Sequence, residues 1–331
     1  MVVSLSSHAP AARPGPSPLP RRVIACLSAI PIGAVLALTG CSSDGGDSAD
    51  AGPCAATSSV DTAGLRPIPI PPAEVTVLDP GAGYREVPTP RPDTGSPQEV
   101  TLTTDSQESS ITPAADGEQS VQSTQEKLTT AVTARVVCDD PSNLEFTIGT
   151  PTTPDEALTP ELDAIGGSAG GITVADGLNV RSLRLMPKQE SGSPARSALE
   201  QSFSGALDQS VPLPTEPVGV GARWQSVRTI SAAATIKRTT TVTLAERTGD
   251  ILQLDVAVDE TPVDSVFRIP GSAQTLTIAR YSMAGSGRIT VDLKRILPVG
   301  GSLTTKGARE LVGDEHGVPL LQQNQYTVTW E

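Results

Sequence analysis

From residue 73 to the C-terminus the chain is a succession of short segments in which apolar and polar residues alternate. That period of two commits most of it to antiparallel β-structure. The C-terminal third is clearest. Residues 224–230, 234–244, 251–258, 275–282, 287–293, 301–305 and 325–330 each read as a strand. Their connections are short, as in Arg247-Thr248-Gly249-Asp250 and Ala284-Gly285-Ser286, which favours a meander. Thr239-Thr240-Thr241-Val242-Thr243 predicts one wet and one buried face. Further strands are expected at 74–78, 99–104 and 119–137, and where Leu144, Phe146 and Ile148 alternate. Two segments have helical spacing instead. Leu158, Leu162 and Ile165 mark 154–165, stopped by Gly166-Gly167; Leu199, Phe203 and Leu207 mark 196–209. Each carries one narrow apolar stripe, so each is expected to cover a sheet face. Between them Ile172 to Val180 reads as a hairpin around Asp176-Gly177. The expectation is an α+β body: a large, curved antiparallel sheet with two short covering helices. With eight aromatic residues in the chain, its core must be built from Val, Ile, Leu, Ala and Thr. Strands on both sides of the helices allow a weak duplication, 73–190 and 211–331, without a crisp repeat.

The first 40 residues differ. Arg13, Arg21 and Arg22 precede a 17-residue apolar run, 23–39, with no basic cluster after it. That is the charged region and apolar region of a signal peptide, and shorter than a spanning helix. The arginine pair is read as part of an ordinary charged region, leaving the export route open. The run ends in Leu38-Thr39-Gly40-Cys41, which resembles the lipobox of bacterial lipoproteins. The resemblance implies lipid on the Cys41 thiol, cleavage just before it, and attachment to the extracytoplasmic face of the cell membrane. The organisation expected is signal peptide 1–40, a Ser/Asp/Gly then Pro-rich linker 41–72, and the body 73–331.

Removing that segment takes three of the 24 basic residues and no acid, leaving 21 against 37 and a net charge of −16. Such acidity disfavours nucleic acid as a partner. Cys26 falls in the removed segment, and Cys41 is assigned to the lipid. Cys54 and Cys138 remain in an oxidising compartment and are expected to pair.

Pro212-Leu213-Pro214-Thr215-Glu216-Pro217-Val218-Gly219-Val220-Gly221-Ala222-Arg223-Trp224 resembles a segment of uncharacterised actinobacterial envelope lipoproteins. So does 285–294 with Leu297-Pro298-Val299. These motifs are structural and imply no chemistry. A looser similarity, of architecture alone, is to half-barrel lipoproteins that carry lipids between a curved sheet and its covering helices.

Little points to catalysis. Gly166-Gly167-Ser168-Ala169-Gly170 matches G-x-S-x-G, and His316 follows later in the chain. A nucleophile elbow needs a strand before the serine and a helix after it, whereas the order here is the reverse. One histidine in the mature chain does not make a zinc site, and Asp44, Asp47 and Asp50 lack an EF-hand's closing glutamate. No phosphate-binding glycine loop is present. The reading is therefore no enzyme, no cofactor and no metal. It is a membrane-anchored binding protein for an apolar ligand or an envelope partner. The alternatives are a solid-core interaction protein and a serine hydrolase using Ser168. Trp224 and Trp330 are assigned to core packing, with a pocket lining as the second choice.

Overall fold

The computed structural model describes residues 53–331 apart from 57, 114–118 and 314–318. Helix α1 (Ser59–Thr62) and the two-residue strand β1 (Ile68–Pro69) lead into β2 (Glu74–Asp79). Next come β3 (Gln98–Pro113), β4 (Gln119–Val137), β5 (Asp140–Ile148), helix α2 (Thr159–Asp163), β6 (Ala169–Ala175) and β7 (Asn179–Met186). Helix α3 (Ser193–Asp208) precedes β8 (Arg223–Ser231), β9 (Thr235–Thr248), β10 (Ile251–Pro262) and β11 (Val266–Arg268). The long strands β12 (Thr275–Asp292), β13 (Gly300–Val312) and β14 (Leu320–Trp330) complete the chain. All form one antiparallel sheet in the order β1-β7-β6-β5-β4-β3-β14-β13-β12-β10-β9-β8-β2, with β11 on β12. Each half is a meander, and the halves join where β14 pairs with β3. The sheet-dominated α+β class is thus the one the alternation predicts.

The sheet curls around α3. Phe203 of α3 stacks on Phe146 of β5 at 4.9 Å, and Ser202 accepts a hydrogen bond from Thr104 of β3. From the far side of the sheet order, Arg228 of β8 and Arg238 of β9 donate to carbonyls at the end of the same helix. Only a strongly bent sheet reaches one helix from both sides. The apolar spacing of α3 explains its place: Ala195, Ala198, Leu199, Ser202, Phe203, Ala206 and Leu207 are buried on one stripe. Burying Leu199 and Phe203 alone contributes roughly 1.5–3 kcal/mol each. The helix has no glycine stop. Instead, Arg228 donates to the Leu207 and Asp208 carbonyls and Arg238 to the Asp208 carbonyl, which also suits the negative end of the helix dipole.

Several expectations change. Residues 275–282 and 287–293 are one strand, β12, and Ala284-Gly285-Ser286 is no turn. Its glycines serve close approach: a Cβ on Gly285 would lie 2.5 Å from the Thr304 carbonyl oxygen of β13. Strands β3, β13 and β14 run well past 99–104, 301–305 and 325–330; the outer part of β3 is mostly polar on both faces, and a polar stretch separates Leu311 of β13 and Leu320 of β14 from the segments whose alternation could be read. The helix expected over 154–165 is only α2, though Leu162 and Ile165 are buried as its stripe requires. The Asp176-Gly177 hairpin stands, with Gly177 and Leu178 both at positive φ. Across the two parts 73–190 and 211–331, β2 pairs with β8.

Cys54 and Cys138 form the expected disulfide. The expected linker is not free to residue 72. Ala55 bridges Val137, Val60 and Ile70 are buried, and Ile68 and Pro69 pair with β7.

Candidate binding site

Along the face that carries α3, the residue type changes level by level. Nearest the main core, cross-strand neighbours Val242, Val256, Gly287, Leu303, Val328, Thr104 and Leu128 form a largely apolar row. Two residues further along each strand the row is Thr240, Val258, Gly285, Thr305, Tyr326, Ser106 and Glu126. The next is Arg238, Glu260, Met283, Gly307, Asn324, Glu108 and Thr124. Beyond it, Ala234, Phe267, Ile278 and Leu311 start a second apolar cluster. The face therefore holds a polar belt between two apolar regions, and α3 forms one wall of it.

Two hollows open in this belt. One, of about 190 Å³, lies at the C-terminal part of α3 between Gly205, Asp208, Gln209, Arg238, Glu260 and Tyr326, with Met283, Thr305 and Asn324. The other, of about 450 Å³, lies toward the start of α3 and is lined by Ser106, Glu108, Glu126, Asp155 and Gln201 among others. Ser106 of the second pairs directly with Tyr326 of the first.

The smaller hollow is ordered by a charge network. Glu260 accepts from Arg238 Nε at 2.7 Å through one oxygen and from the Tyr281 hydroxyl at 2.8 Å through the other. Burial, with Glu260 beside it, pushes the Tyr281 phenol well above its ordinary range. Burial lowers Arg228 to about 10, against the pull of Asp208, so it stays charged at neutral pH. Burial also raises the Asp208 carboxyl, opposed by Arg238 and Arg228. Four buried atoms of this network have no protein partner: Asp208 Oδ1, Gln209 Oε1, Tyr326 Oη and Arg228 Nε. Gln209 is only 8% exposed. Leaving such groups unpaired costs on the order of 1–3 kcal/mol each.

The apolar pocket expected between sheet and helices is small. It measures about 40 Å³ and is lined by Ile172, Val180, Leu207, Val291, Val328 and Trp330, among others. Ligand pockets for drug-sized molecules are roughly 300–1,000 Å³. Trp224 is core, its indole N–H donating to the Pro212 carbonyl at 3.0 Å. Ser168 is 1% exposed; its hydroxyl donates to the Ile165 carbonyl at 2.6 Å and accepts from the Lys188 amide at 3.0 Å. It follows α2 and precedes β6, the reverse of a nucleophile elbow. His316 and the lipobox residues Leu38, Thr39, Gly40 and Cys41 lie outside the described residues. Among the described residues, no three His, Cys, Asp or Glu gather as metal ligands, and no helix is long and apolar enough to cross a membrane.

The alternation in β9, β10 and β14 marks which side chains face α3. What it does not reveal is that Arg238, Glu260 and Tyr326 share one hollow, because they come from three strands and meet only through the sheet register. A sequence signal did exist at one point: charged or large polar residues stand on the buried-face phase of strands that otherwise read Val or Leu there.

Comparison with protein-family models and with curated proteins returns no match to this chain.

Proposed function

We propose that the chain is a lipoprotein, anchored through lipid on Cys41 on the extracytoplasmic face of the cell membrane, and that its body is a non-catalytic binding protein. The observation that carries the binding role is the hollow of about 190 Å³ in the polar belt, lined by Asp208, Gln209, Arg238, Glu260, Asn324 and Tyr326. The small apolar pocket argues against storing an acyl chain, so the ligand or envelope partner is expected to engage the polar belt. A half-barrel comparison remains one of architecture: the curl around α3 supports it. The commitment of the Ser168 hydroxyl to two backbone groups favours binding over hydrolysis.

Two measurements test this reading. Cys41→Ala should move the protein from the membrane to the soluble fraction; firm retention in the membrane would overturn the anchor. Native mass spectrometry of the purified protein should find a bound mass that Tyr326→Phe loses. A bound acyl lipid insensitive to that change would overturn the polar-belt reading.

A further inference from the structure

Strand β4 is longer than β5 beside it, and part of its edge is left open. It pairs with β3 on one side and, from Val132 to Val137, with β5 on the other. Among the described residues, Gln119 to Lys127 pair with β3 only, and all of them are exposed. At roughly 3.3 Å per residue this open edge is about 30 Å long.

Its hydrogen-bonding phase follows from the residues next to it. Thr129 exchanges both backbone hydrogen bonds with Thr152, and the Ala131 carbonyl accepts from the Gly149 amide. These groups point away from β3. The bonding period is two, and the β3–β4 register is unbroken. The amides and carbonyls of Gln119, Val121, Ser123, Gln125 and Lys127 therefore point the same way. Pro154, which would fall opposite Lys127 in the Thr129–Thr152 register, has no amide with which to continue the pairing.

Native proteins blunt such edges with proline, lysine or a bulge. Residues 119–127 contain no proline and no break of register, and Lys127 stands at the inner end. The ends of the sheet order are treated differently: Ile68 and Pro69 cover β7, and β2 covers part of β8. Glu126 and Lys127 cancel, so this stretch is neutral in a chain of net charge −13. A second, equally acidic copy meets least repulsion at such a stretch.

The edge is also complementary to itself. Its outward residues are centred on Ser123. Antiparallel pairing of two copies about that residue sets Gln119 opposite Lys127, Val121 opposite Gln125 and Ser123 opposite its own equivalent. Every outward amide and carbonyl of the stretch is then bonded. Between these pairs Ser120 lies opposite Glu126, and Gln122 opposite Thr124. No like charges face each other, and the Glu126 residues of the two copies stand at opposite ends of the ladder. Val121, 57% exposed in the single chain, gains cover from the stem of Gln125.

We propose that the outer edge of β4 joins two copies of this chain, antiparallel, about a twofold axis at Ser123. The sheet of one molecule continues into the other, and the contact closes on itself. This goes beyond the binding-protein reading and does not depend on it.

The test is sedimentation equilibrium of the full chain in density-matched mild detergent over a range of concentrations. A monomer–dimer equilibrium is expected. Ser123→Ala should dimerise like the parent, because the backbone makes the bonds. Ser123→Pro should be monomeric, since it removes an outward amide and none that β3 uses. Ser123→Lys should be monomeric too, with two ammonium groups face to face, and it decides the matter if the proline variant fails to fold. Mixed with Ser123→Glu, it should pair again. Bonded pairs hold their Cα atoms about 5.5 Å apart, within reach of a disulfide. Oxidised Ser123→Cys should therefore give a covalent dimer beyond any formed by the parent. Val121→Cys should do so only when mixed with Gln125→Cys. A chain that stays monomeric throughout, including one that takes up a foreign extended peptide on this edge, would overturn the proposal. So would a dimer indifferent to both Ser123→Pro and Ser123→Lys, or cross-links that ignore position.

Discussion

Pro69 and Glu74 stand five residues apart in the chain and at opposite ends of the sheet order: Pro69 pairs with Ser182 of β7, and Glu74 with Val227 of β8. Five extended residues span at most about 18 Å. The β7 and β8 ends of the sheet are therefore brought within that reach, and one continuous strap, residues 68–79, pairs with both. A strap of this kind covers two strand edges that would otherwise offer open hydrogen-bonding groups. Its middle is held by Asn179, whose side chain donates to the Ala73 carbonyl at 2.8 Å and accepts from the Ala73 amide at 3.2 Å.

Asn179→Ala should therefore lower stability by about 2 kcal/mol, since two buried backbone groups of Ala73 lose their partner. Urea unfolding measures the loss, and limited proteolysis should find faster cleavage within 70–73. Unchanged cleavage there would mean the strap is held by its strand pairing alone.

Arg228→Met should destabilise by about 2–4 kcal/mol, because it strips the Leu207 and Asp208 carbonyls of a buried donor. Hydrogen exchange should show the loss concentrated in the last turn of α3. Arg228→Lys should recover part of it, as an ammonium cannot reproduce the guanidinium fork.

Gly205→Ala, ordinarily a gain in a helix, should cost about 1–3 kcal/mol here, since the new methyl meets the Tyr326 ring and hydroxyl. In a Tyr326→Ala background the same change should become neutral or stabilising. A double-mutant cycle reads the coupling, and additive effects would refute the contact.

Asp208 gives a pH signature. Its folded carboxyl titrates above the ordinary 3.8 because burial disfavours the charge. Between the unfolded and folded values the native chain holds the extra proton, so stability falls as pH rises through that window and stays lower above it. Asp208→Asn should flatten that slope and be at least as stable as the parent at neutral pH. Parallel pH profiles of melting temperature for the two proteins would contradict the assignment.

The strands with an apolar face were legible because alternation is a local signal. Residues 223–231 and 235–248, with Trp224, Val242 and Leu244 on the buried phase, fall close to where the pattern places them. The outer part of β3 was harder, being mostly polar on both faces; Ser109 is held there by cross-strand pairing with Ser123 rather than by burial. Gly285 misled for a related reason. A glycine among small residues reads as a turn, and only the neighbouring strand reveals that it is needed for close approach.

By itself, then, the sequence determined the antiparallel class, the α3 stripe and the two cysteines that pair, all of which follow from periodicity or from counting. The tertiary structure alone decided how far the sheet curls, that residues 68–79 bridge its ends, and that Asp208, Gln209 and Tyr326 share one hollow. Those depend on pairings between residues more than a hundred positions apart in sequence, such as Thr104 with Val328, and no local pattern encodes them.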